Sequence, residues 1–417
     1  MTAAIASSAD IRENTKSRRT GVGGWIEAIP ATPSFVYDEG RLEENLALLE
    51  GIRSASGCRV LYSIKAFPLM GLLQRLRGRV DGFSVSSLFE ARLAHEACAG
   101  NGRLHITTPG LRRHEMSEIG ELCDYVSFNS WSQLERLSEL LHDRAKLGLR
   151  INPRLSFLED PRYDPCRPYS KLGTPLPQVV QRRRMGGFSA YGISGLHLHT
   201  NFACSTFAPL QASVQHLEAH LPQLVREIEW VNLGGGYLFQ ASRDSQRLLA
   251  AIDHIQSEWG AGVYLEPGKS VVGDAGFLVA SVIDTFESDG KSIAVLDTSV
   301  NHLPEVFEYQ SRPRLLDERT EGPYAVTLAG CTCLSGDLFG EYRFARPLEI
   351  DDRLVFEHVG AYSLIKASRF NGHNLPSIHC LGENGALTLM KDYDYDDYRR
   401  QWSDTESVPG GAKIGIG

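Results

Sequence analysis

The sequence predicts an α/β fold, a closed (β/α)8 barrel followed by a C-terminal, mostly-β domain. From residue 58 to residue 265, short apolar runs alternate with longer amphipathic runs, which is typical of parallel strands each followed by a covering helix. After Pro267 the pattern changes to alternating, β-branched segments separated by turn residues. Eight strands in the first part favour a closed barrel, with an open doubly wound sheet as the alternative.

The predicted elements follow in chain order. The barrel strands are predicted at residues 59–64, 80–85, 103–107, 125–128, 147–151, 193–198, 229–233 and 262–265, with amphipathic helices such as 86–99 and 130–144 between them. A proline-rich segment, 163–177, is predicted to be a long loop over one face. The β domain is predicted to contain strands at 277–286, 292–296, 353–358 and 377–381. This pattern divides the chain into a flexible segment (1–31), a barrel (32–272) and a β domain (273–417).

Composition narrows the class of protein. The chain has 417 residues, 42% hydrophobic and 23% charged, with a formal net charge of −8. These values indicate a globular protein without the basic surface that nucleic-acid binding requires, and no apolar run is long enough for a membrane span. An acidic surface would suit a cationic substrate, although solubility explains it equally well. Eight scattered cysteines and a polar N-terminal segment without an export signal favour reduced thiols in the cytoplasm.

Barrel enzymes carry their chemistry at the C-terminal ends of the strands, and here those ends are polar. The residues at these positions are Lys65, Ser86, Ser87, Asn129, Arg150, Asn152, His197, His199, Gly234, Gly235, Gly236 and Glu266. A lysine after a strand is usually solvated, and three glycines alone can be a tight turn. In a barrel mouth, however, Lys65 would be a desolvated amine able to form an imine, and the glycines would let backbone N–H groups approach a phosphate.

Two further side chains extend this hypothesis. Glu266 at a strand end either caps a neighbouring helix or faces the nitrogen of a pyridine ring and keeps that nitrogen protonated. His199 is either an ordinary core residue or stacks on the face of that pyridine ring. The pair His197 and His199 also suggests an alternative, a zinc-dependent barrel hydrolase, although no further ligands converge with it. We therefore expect a pyridoxal phosphate site without a metal.

Six ordered motifs resemble the fold-type III pyridoxal phosphate decarboxylases, which include ornithine and diaminopimelate decarboxylases. They are YSIKA (62–66), GLHLH (195–199), GGG (234–236), EPG (266–268), TCLSGD (332–337) and GAY (360–362). Within that group the chain resembles the carboxynorspermidine decarboxylase branch, through RINP (150–153), YDPC (163–166), KLG (171–173), NHLPE (301–305) and FNG (370–372). The likeness runs from about residue 32 to residue 398.

The resemblance implies an alanine racemase-like barrel and a role for each matched residue. Lys65 would hold the cofactor as an imine, His199 would stack on its ring, and Glu266 would pair with its nitrogen. Gly235, Gly236 and Tyr362 would hold the phosphate. Arg150 and Gly234 are further candidates for binding the cofactor. The resemblance also implies a homodimer with shared active sites, in which Cys333 and Asp337 of one chain act in the site of the other.

Two departures from the family pattern affect the substrate. Residues 201–204 read NFAC where relatives usually have LCE after the stacking histidine, and Lys269 follows EPG where the similar branch tends to have an acid. We expect a carboxylated polyamine such as carboxynorspermidine or carboxyspermidine. Another basic or diamino acid of a specialised pathway is the alternative.

Four residues are candidates for binding the distal ammonium groups of the substrate, besides Glu266: Asp297, His302, Glu305 and Glu308. A charged surface strand would look the same. Other functions remain open at this point. A racemase on a similar barrel would lack the motif of Cys333 and Asp337, and a catalytically silent regulator would have no need to keep Lys65, Glu266 and Cys333 together. The Cys331-x-Cys333 pair is a weak metal signal because no partner pair is near.

Overall fold

The computed structural model describes residues 23–141, 144–184, 188, 191–242 and 244–404. These residues form two compact units, one of Arg41–Gly273 and one of residues 23–40 together with 274–404. None of the helices in the described ranges combines the length and the apolar character that a membrane span requires.

The strands are numbered along the chain. β1 (Ser34–Asp38) belongs to the second unit. The first unit contains β2 (Arg59–Ser63), β3 (Gly82–Val85), β4 (Arg103–Thr108), β5 (Tyr125–Phe128), β6 (Lys146–Asn152), β7 (Thr174–Pro175), β8 (Ile193–Leu198), β9 (Trp230–Asn232) and β10 (Gly262–Leu265). The second unit continues with β11 (Gly276–Ser288), β12 (Lys291–Leu296), β13 (Arg314–Leu315), β14 (Tyr324–Ala329), β15 (Leu338–Phe344), β16 (Arg353–Glu357), β17 (Ser377–Leu381) and β18 (Leu387–Lys391).

The α-helices alternate with the barrel strands and are fewer in the second unit. They lie at Gly23–Ala28, Glu39–Ser56, Met70–Leu76, Leu88–Cys98, Met116–Leu122, Trp131–Leu137, Leu176–Arg184, Ala208–His220, Ser245–His254, Lys269–Val272, Glu305–Tyr309 and Tyr395–Trp402. The predicted helix 130–144 ends earlier, in a 3-10 turn at Ser138–Leu141, and its residues 142 and 143 lie outside the described part.

The first unit is a closed parallel barrel, which confirms the predicted fold class. Its strands pair in the order β2, β3, β4, β5, β6, β8, β9 and β10, and β10 pairs with β2 to complete the circle. β7 adds to the edge of β6 inside the segment predicted to be a loop, so that segment is not entirely irregular. Because all strands run the same way, their C-terminal ends meet at one mouth.

Serine caps explain why two of the covering helices begin where they do. Ser87 accepts a hydrogen bond from Glu90 N at 3.1 Å, and Ser130 accepts one from Gln133 N at 3.2 Å. Each cap follows its strand by two residues, so the helix starts directly after the strand end. Such a cap contributes about 1 kcal/mol to stability.

An aromatic cluster fills the barrel beneath the mouth. Trp230, Tyr125 and Tyr264 pack with Leu61, and the two tyrosine hydroxyl groups are 2.7 Å apart. The indole requires a glycine opposite it, because a Cβ on Gly195 would lie 1.9 Å from the Trp230 ring. Strand β8 therefore keeps a glycine at this position for close packing.

The second unit is built on a nine-stranded sheet. Its main path runs β15, β14, β12, β11, β1, β17 and β18, with β16 pairing both β11 and β13. β1 pairs with β11 and β17, so the first strand of the chain belongs to this sheet, whereas the sequence analysis assigned residues from 32 onwards to the barrel. Residues 23–31 are not a free tail either, since Ile29 is 1% exposed in the sheet core and Trp25 packs on Phe277. Residues 1–22 of the predicted flexible segment lie outside the described residues.

Candidate active site

Five ionisable side chains converge at the barrel mouth. Lys65 follows β2, Arg150 lies on β6, His197 and His199 belong to β8 and the residue after it, and Glu266 follows β10. Glu266 interacts electrostatically with each of the other four side chains. The sequence analysis selected all five from their positions at strand ends.

Glu266 is the buried anion of the cluster, with 4% of its surface exposed. Its Oε1 accepts a hydrogen bond from Asn232 Nδ2 at 2.7 Å, and its Oε2 lies 3.4 Å from His197 Nε2. Burial favours the neutral acid, but the contact with His197 and the positive charge of Lys65 outweigh it, so the pKa of Glu266 lies well below its usual value. Glu266 therefore stays a carboxylate although it is buried.

The histidines around it are neutral. Burial lowers the pKa of His199 well below its usual value, and the positive charges of Lys65 and Arg150 lower it further. Burial likewise lowers the pKa of His197. His199 Nδ1 accepts the backbone N–H of Gly235 at 3.2 Å, which leaves the proton of its neutral ring on Nε2.

Lys65 combines a desolvated amine with access from outside. Its side chain is partly exposed, yet burial of the ammonium group lowers its pKa, against the opposing effect of Glu266. Within the described part of the chain, Nζ makes no hydrogen bond or ion pair. An amine in this state is a nucleophile for a carbonyl carbon.

Arg150 adds a second cation beside Lys65. It is 8% exposed, and burial lowers its pKa to about 10, so the guanidinium stays charged near neutral pH. This guanidinium brings positive charge to the mouth, which favours an anionic group of a ligand.

The three glycines after β9 form a tight turn at the mouth. Gly234 and Gly236 have φ of 68° and 90°, which favour glycine, and a Cβ on Gly235 would lie 2.2 Å from the Glu266 carbonyl oxygen. The Gly235 N–H is bonded to His199, whereas the Gly236 N–H has no hydrogen-bond partner among the described residues. The turn thus offers at least one backbone donor without a side chain in the way.

The other polar residues at the strand ends have structural partners. Ser87 caps a helix, and Ser86 donates its backbone N–H to Glu90 at 2.6 Å. Asn129 donates to the Lys171 carbonyl at 2.8 Å, and Asn152 donates to the Leu172 carbonyl at 3.2 Å. The two asparagines thereby anchor the proline-rich loop to β5 and β6.

Three relevant residues were missed by the sequence analysis. His105 on β4 and Asn232 on β9 surround Glu266, and Glu90 interacts electrostatically with Lys65. Burial raises the pKa of Glu90. His105 and Asn232 were polar residues inside apolar strands at positions that face inward, and this alternation was the signal that would have identified them.

In the second unit, Asp337 is buried and engaged in hydrogen bonds to neighbouring loops. Its carboxylate is 3% exposed and accepts hydrogen bonds from Val300 N (2.8 Å), Thr332 N (3.1 Å) and Thr332 Oγ1 (2.5 Å). Cys333, which follows Thr332, is exposed and donates its backbone N–H to Asn371 Oδ1 at 2.8 Å. Asp337 therefore holds the loop that presents Cys333.

The remaining candidates of this unit differ in accessibility. Asp297 accepts from Thr32 Oγ1 (2.5 Å) and Ser281 N (2.9 Å), and His302 is 1% exposed with Nδ1 2.9 Å from Thr298 Oγ1. Both are bonded inside the sheet unit. Glu305 and Glu308 lie on a short helix near the surface, where Glu308 pairs with Lys366.

The position of Tyr362 is set by its own backbone. It follows Gly360 and Ala361 with φ of 66°, and its ring lies 5.7 Å from Lys366 Nζ. The left-handed conformation of a tyrosine is uncommon and marks this turn as a specialised one.

A family model described as pyridoxal-dependent decarboxylase, C-terminal sheet domain, matches residues 34–360. The chain belongs to the pyridoxal-dependent decarboxylase family. This membership confirms three predictions: the resemblance to this family, pyridoxal phosphate as the cofactor, and the assignment of the chain as an enzyme. It also sets aside the zinc hydrolase and the silent regulator, although ligand atoms of His197, His199 and Glu266 do lie within 4.8 Å of one another.

Similar decarboxylases cover nearly the whole chain. Carboxyaminopropylagmatine decarboxylase of Synechocystis is 34% identical, over 90% of this chain and 96% of its own. The carboxynorspermidine/carboxyspermidine decarboxylase of Herminiimonas arsenicoxydans is 30% identical, over 88% and 98%. The crystal structure of carboxynorspermidine decarboxylase complexed with norspermidine from Campylobacter jejuni superposes with a TM-score of 0.80 at 30% identity, covering 89% of this chain and 99% of that one.

The barrel mouth of this decarboxylase fits pyridoxal phosphate. The Lys65 amine, which has no hydrogen-bond partner among the described residues, matches the aldehyde. The buried carboxylate of Glu266 matches the pyridine nitrogen, and the guanidinium of Arg150 matches the phosphate.

Proposed function

We propose that this decarboxylase acts on a carboxylated polyamine of the carboxynorspermidine, carboxyspermidine or carboxyaminopropylagmatine type, with its cofactor attached to Lys65. The observation that carries the site is the desolvated amine of Lys65, without a hydrogen-bond partner in the described part of the chain, together with the buried carboxylate of Glu266. The substrate class is supported by relatives that are at least 30% identical over most of the chain and carry these names.

In this proposal each barrel residue of the site would contact a different part of the cofactor. Lys65 would bind the aldehyde carbon, Glu266 would pair with the ring nitrogen, and His199 would pack against the ring face. Arg150 and the N–H of Gly236, which has no hydrogen-bond partner among the described residues, would favour the phosphate. The role of Tyr362 at the phosphate stays a prediction from the resemblance. Gly235 contributes by fixing His199, since its own N–H is already bonded there.

Each group then has a defined task in the reaction. Pyridoxal phosphate, when bound, supplies the conjugated ring that accepts the electron pair left as carbon dioxide departs. Glu266 stays anionic and thereby keeps the ring nitrogen protonated. Lys65 would hold the aldehyde carbon, and the lowered pKa of its amine would let Nζ serve as a neutral nucleophile and base near neutral pH. The neutral ring of His199 adds no charge that would oppose the developing negative charge.

The second unit would complete the site in a dimer. We infer that Cys333 of one chain reaches the site of another and donates a proton to the carbon that has lost its carboxylate. Its exposure and its place on a loop held by Asp337 support this role. Glu305 and Glu308 would provide negative charge for the distal ammonium groups.

A reducing compartment, the cytoplasm, suits the cysteine content. All eight thiols are free, and Cys58, Cys98, Cys123 and Cys166 are buried. The exposed Cys333 needs to stay reduced to donate a proton.

A substrate panel tests the proposal. The purified holoenzyme is incubated with carboxynorspermidine, carboxyspermidine, carboxyaminopropylagmatine, diaminopimelate and ornithine, and the products are identified by mass. We expect kcat/KM for one of the carboxylated polyamines to exceed that for diaminopimelate and ornithine by at least about tenfold. A preference for diaminopimelate or ornithine would instead support the alternative, a decarboxylase of another diamino acid.

A further inference from the structure

A chain of hydrogen bonds beneath the barrel mouth links the glycine turn to Glu266 through one amide. Asn232 Oδ1 accepts the backbone N–H of Gly234 at 2.8 Å. Asn232 Nδ2 lies 2.7 Å from Glu266 Oε1 and 2.5 Å from His105 Nδ1. His105 Nε2 in turn lies 2.8 Å from Ser127 Oγ.

The direction of each bond follows from the chemistry of the groups. The Gly234 N–H can only donate, so the atom of Asn232 that it meets must be the carbonyl oxygen. The amide nitrogen then points at Glu266 and His105 with its two hydrogens. Nδ1 of His105 must accept one of them, which places the ring proton on Nε2, towards Ser127.

Burial makes this arrangement persistent. Asn232 is 0% exposed, His105 is 1% exposed, and no water can replace a lost partner without entering the core. Burial also lowers the pKa of His105 to about 3, so the ring stays a neutral acceptor at physiological pH. A protonated ring would have no free acceptor for Asn232.

We propose that Asn232 and His105 are positioning residues: His105 orients the Asn232 amide, and Asn232 holds the Glu266 carboxylate and the Gly234 turn in one fixed relation. This rests on the proposed role of Glu266 at the cofactor nitrogen. Rotation of the carboxylate would break its hydrogen bond to Asn232, and the same side chain links the nitrogen-binding group to the phosphate-binding turn.

The first variant is Asn232→Asp, which keeps the shape but removes both amide hydrogens. It brings a second carboxylate against Glu266 and leaves His105 Nδ1 without a donor. We expect the dissociation constant for pyridoxal phosphate to rise at least about tenfold and the visible absorption of the bound cofactor to shift. The control is Asn45→Asp, because Asn45 is also buried in the barrel unit and donates to a backbone carbonyl, that of Val271, at 2.9 Å.

Two further variants keep the test decisive if Asn232→Asp does not fold. His105→Leu removes the acceptor, and we expect weaker cofactor binding and the same spectral shift. His105→Gln supplies an amide oxygen in its place, and we expect it to restore binding partly. Cofactor affinity and spectra equal to those of the wild-type protein in folded Asn232→Asp and His105→Leu would overturn the proposal. If the wild-type protein itself fails to attach the cofactor at Lys65, the proposed function fails instead, so the two failures are distinguishable.

Discussion

Gly235 donates its backbone N–H to Nδ1 of His199 across 3.2 Å, so the turn after β9 fixes the imidazole that follows β8. The same glycine leaves no space for a side chain, because a Cβ there would lie 2.2 Å from the Glu266 carbonyl oxygen. The middle glycine of the run is thus a packing requirement at the point where β8, β9 and β10 end together.

Gly235→Ala tests this requirement. The methyl group would push the turn away from Glu266, and we expect a loss of about 1–3 kcal/mol of unfolding free energy together with weaker cofactor binding. The measurement is urea unfolding with a parallel titration of pyridoxal phosphate. Gly262→Ala is the matched control, since a Cβ there would make only an ordinary 3.7 Å contact with Glu229 O. Equal effects of the two substitutions would contradict the packing argument.

His105 gives a prediction for the pH dependence of stability. Its pKa is about 3 in the folded chain against an ordinary value of 6.5, so below pH 6.5 the unfolded chain binds a proton that the folded chain does not. The free energy of unfolding therefore falls as pH falls. His105→Gln removes this proton uptake, and we expect a shallower slope, by up to about 1.4 kcal/mol per pH unit between about pH 6 and pH 4.

Denaturant unfolding at several pH values measures this slope. His114→Gln is the control, since the side chain of His114 is 76% exposed. A slope for His105→Gln equal to that of the wild-type protein would show that His105 takes up a proton in the folded state.

We expect the main role of Asp337 to be stabilising the loop that carries Cys333, rather than taking part in the reaction directly. Asp337→Ala leaves three buried or partly buried donors of Val300 and Thr332 without an acceptor, which should cost about 3 kcal/mol of stability. Cys333→Ser should leave stability nearly unchanged and lower kcat. Thermal unfolding and steady-state kinetics on both variants separate the two roles. A stable Asp337→Ala protein with reduced kcat would instead assign Asp337 directly to catalysis.

Glu305 and Asp297 were both candidates for binding the substrate. We expect substitutions of the two residues to differ in their effects on KM and on stability. Glu305→Gln removes a charge near the surface and should raise KM for a polycationic substrate several-fold at unchanged kcat. Asp297→Asn should change stability and leave KM unaltered, because its carboxylate is already bonded to Thr32 and Ser281. Unchanged KM in both variants would remove the substrate-binding hypothesis for this segment.

The sequence predicted the barrel well because each strand is buried on both faces and appears as a short apolar run. Tyr125–Phe128, Ile193–Leu198 and Gly262–Leu265 were predicted with the bounds that the structure has. Strand β1 lies within the residues assigned to the barrel (32–272), although no barrel strand was predicted there. Its pairing with β11, more than two hundred residues later, depends on long-range contacts that periodicity does not report.

The same distinction applies to the site. Lys65, His199 and Glu266 were selected as candidates because strand ends of a barrel converge and because their motifs match a known family. His105 and Asn232 were missed because each is a single polar residue within an apolar strand, and only the closed barrel brings them to Glu266. Asn129 and Asn152 were identified as polar residues at strand ends. Their hydrogen bonds to the proline-rich loop could not be predicted, because the path of that loop is not evident from the sequence.

The covalent state of Lys65 tests the account most directly. The holoenzyme is reduced with borohydride, digested and analysed by mass spectrometry, with Lys65→Arg treated in parallel. We predict a phosphopyridoxyl group on Lys65 in the wild-type protein and no covalent label in Lys65→Arg. A label on a different lysine, or a labelled Lys65→Arg protein, would contradict the assignment of the catalytic amine to the end of β2.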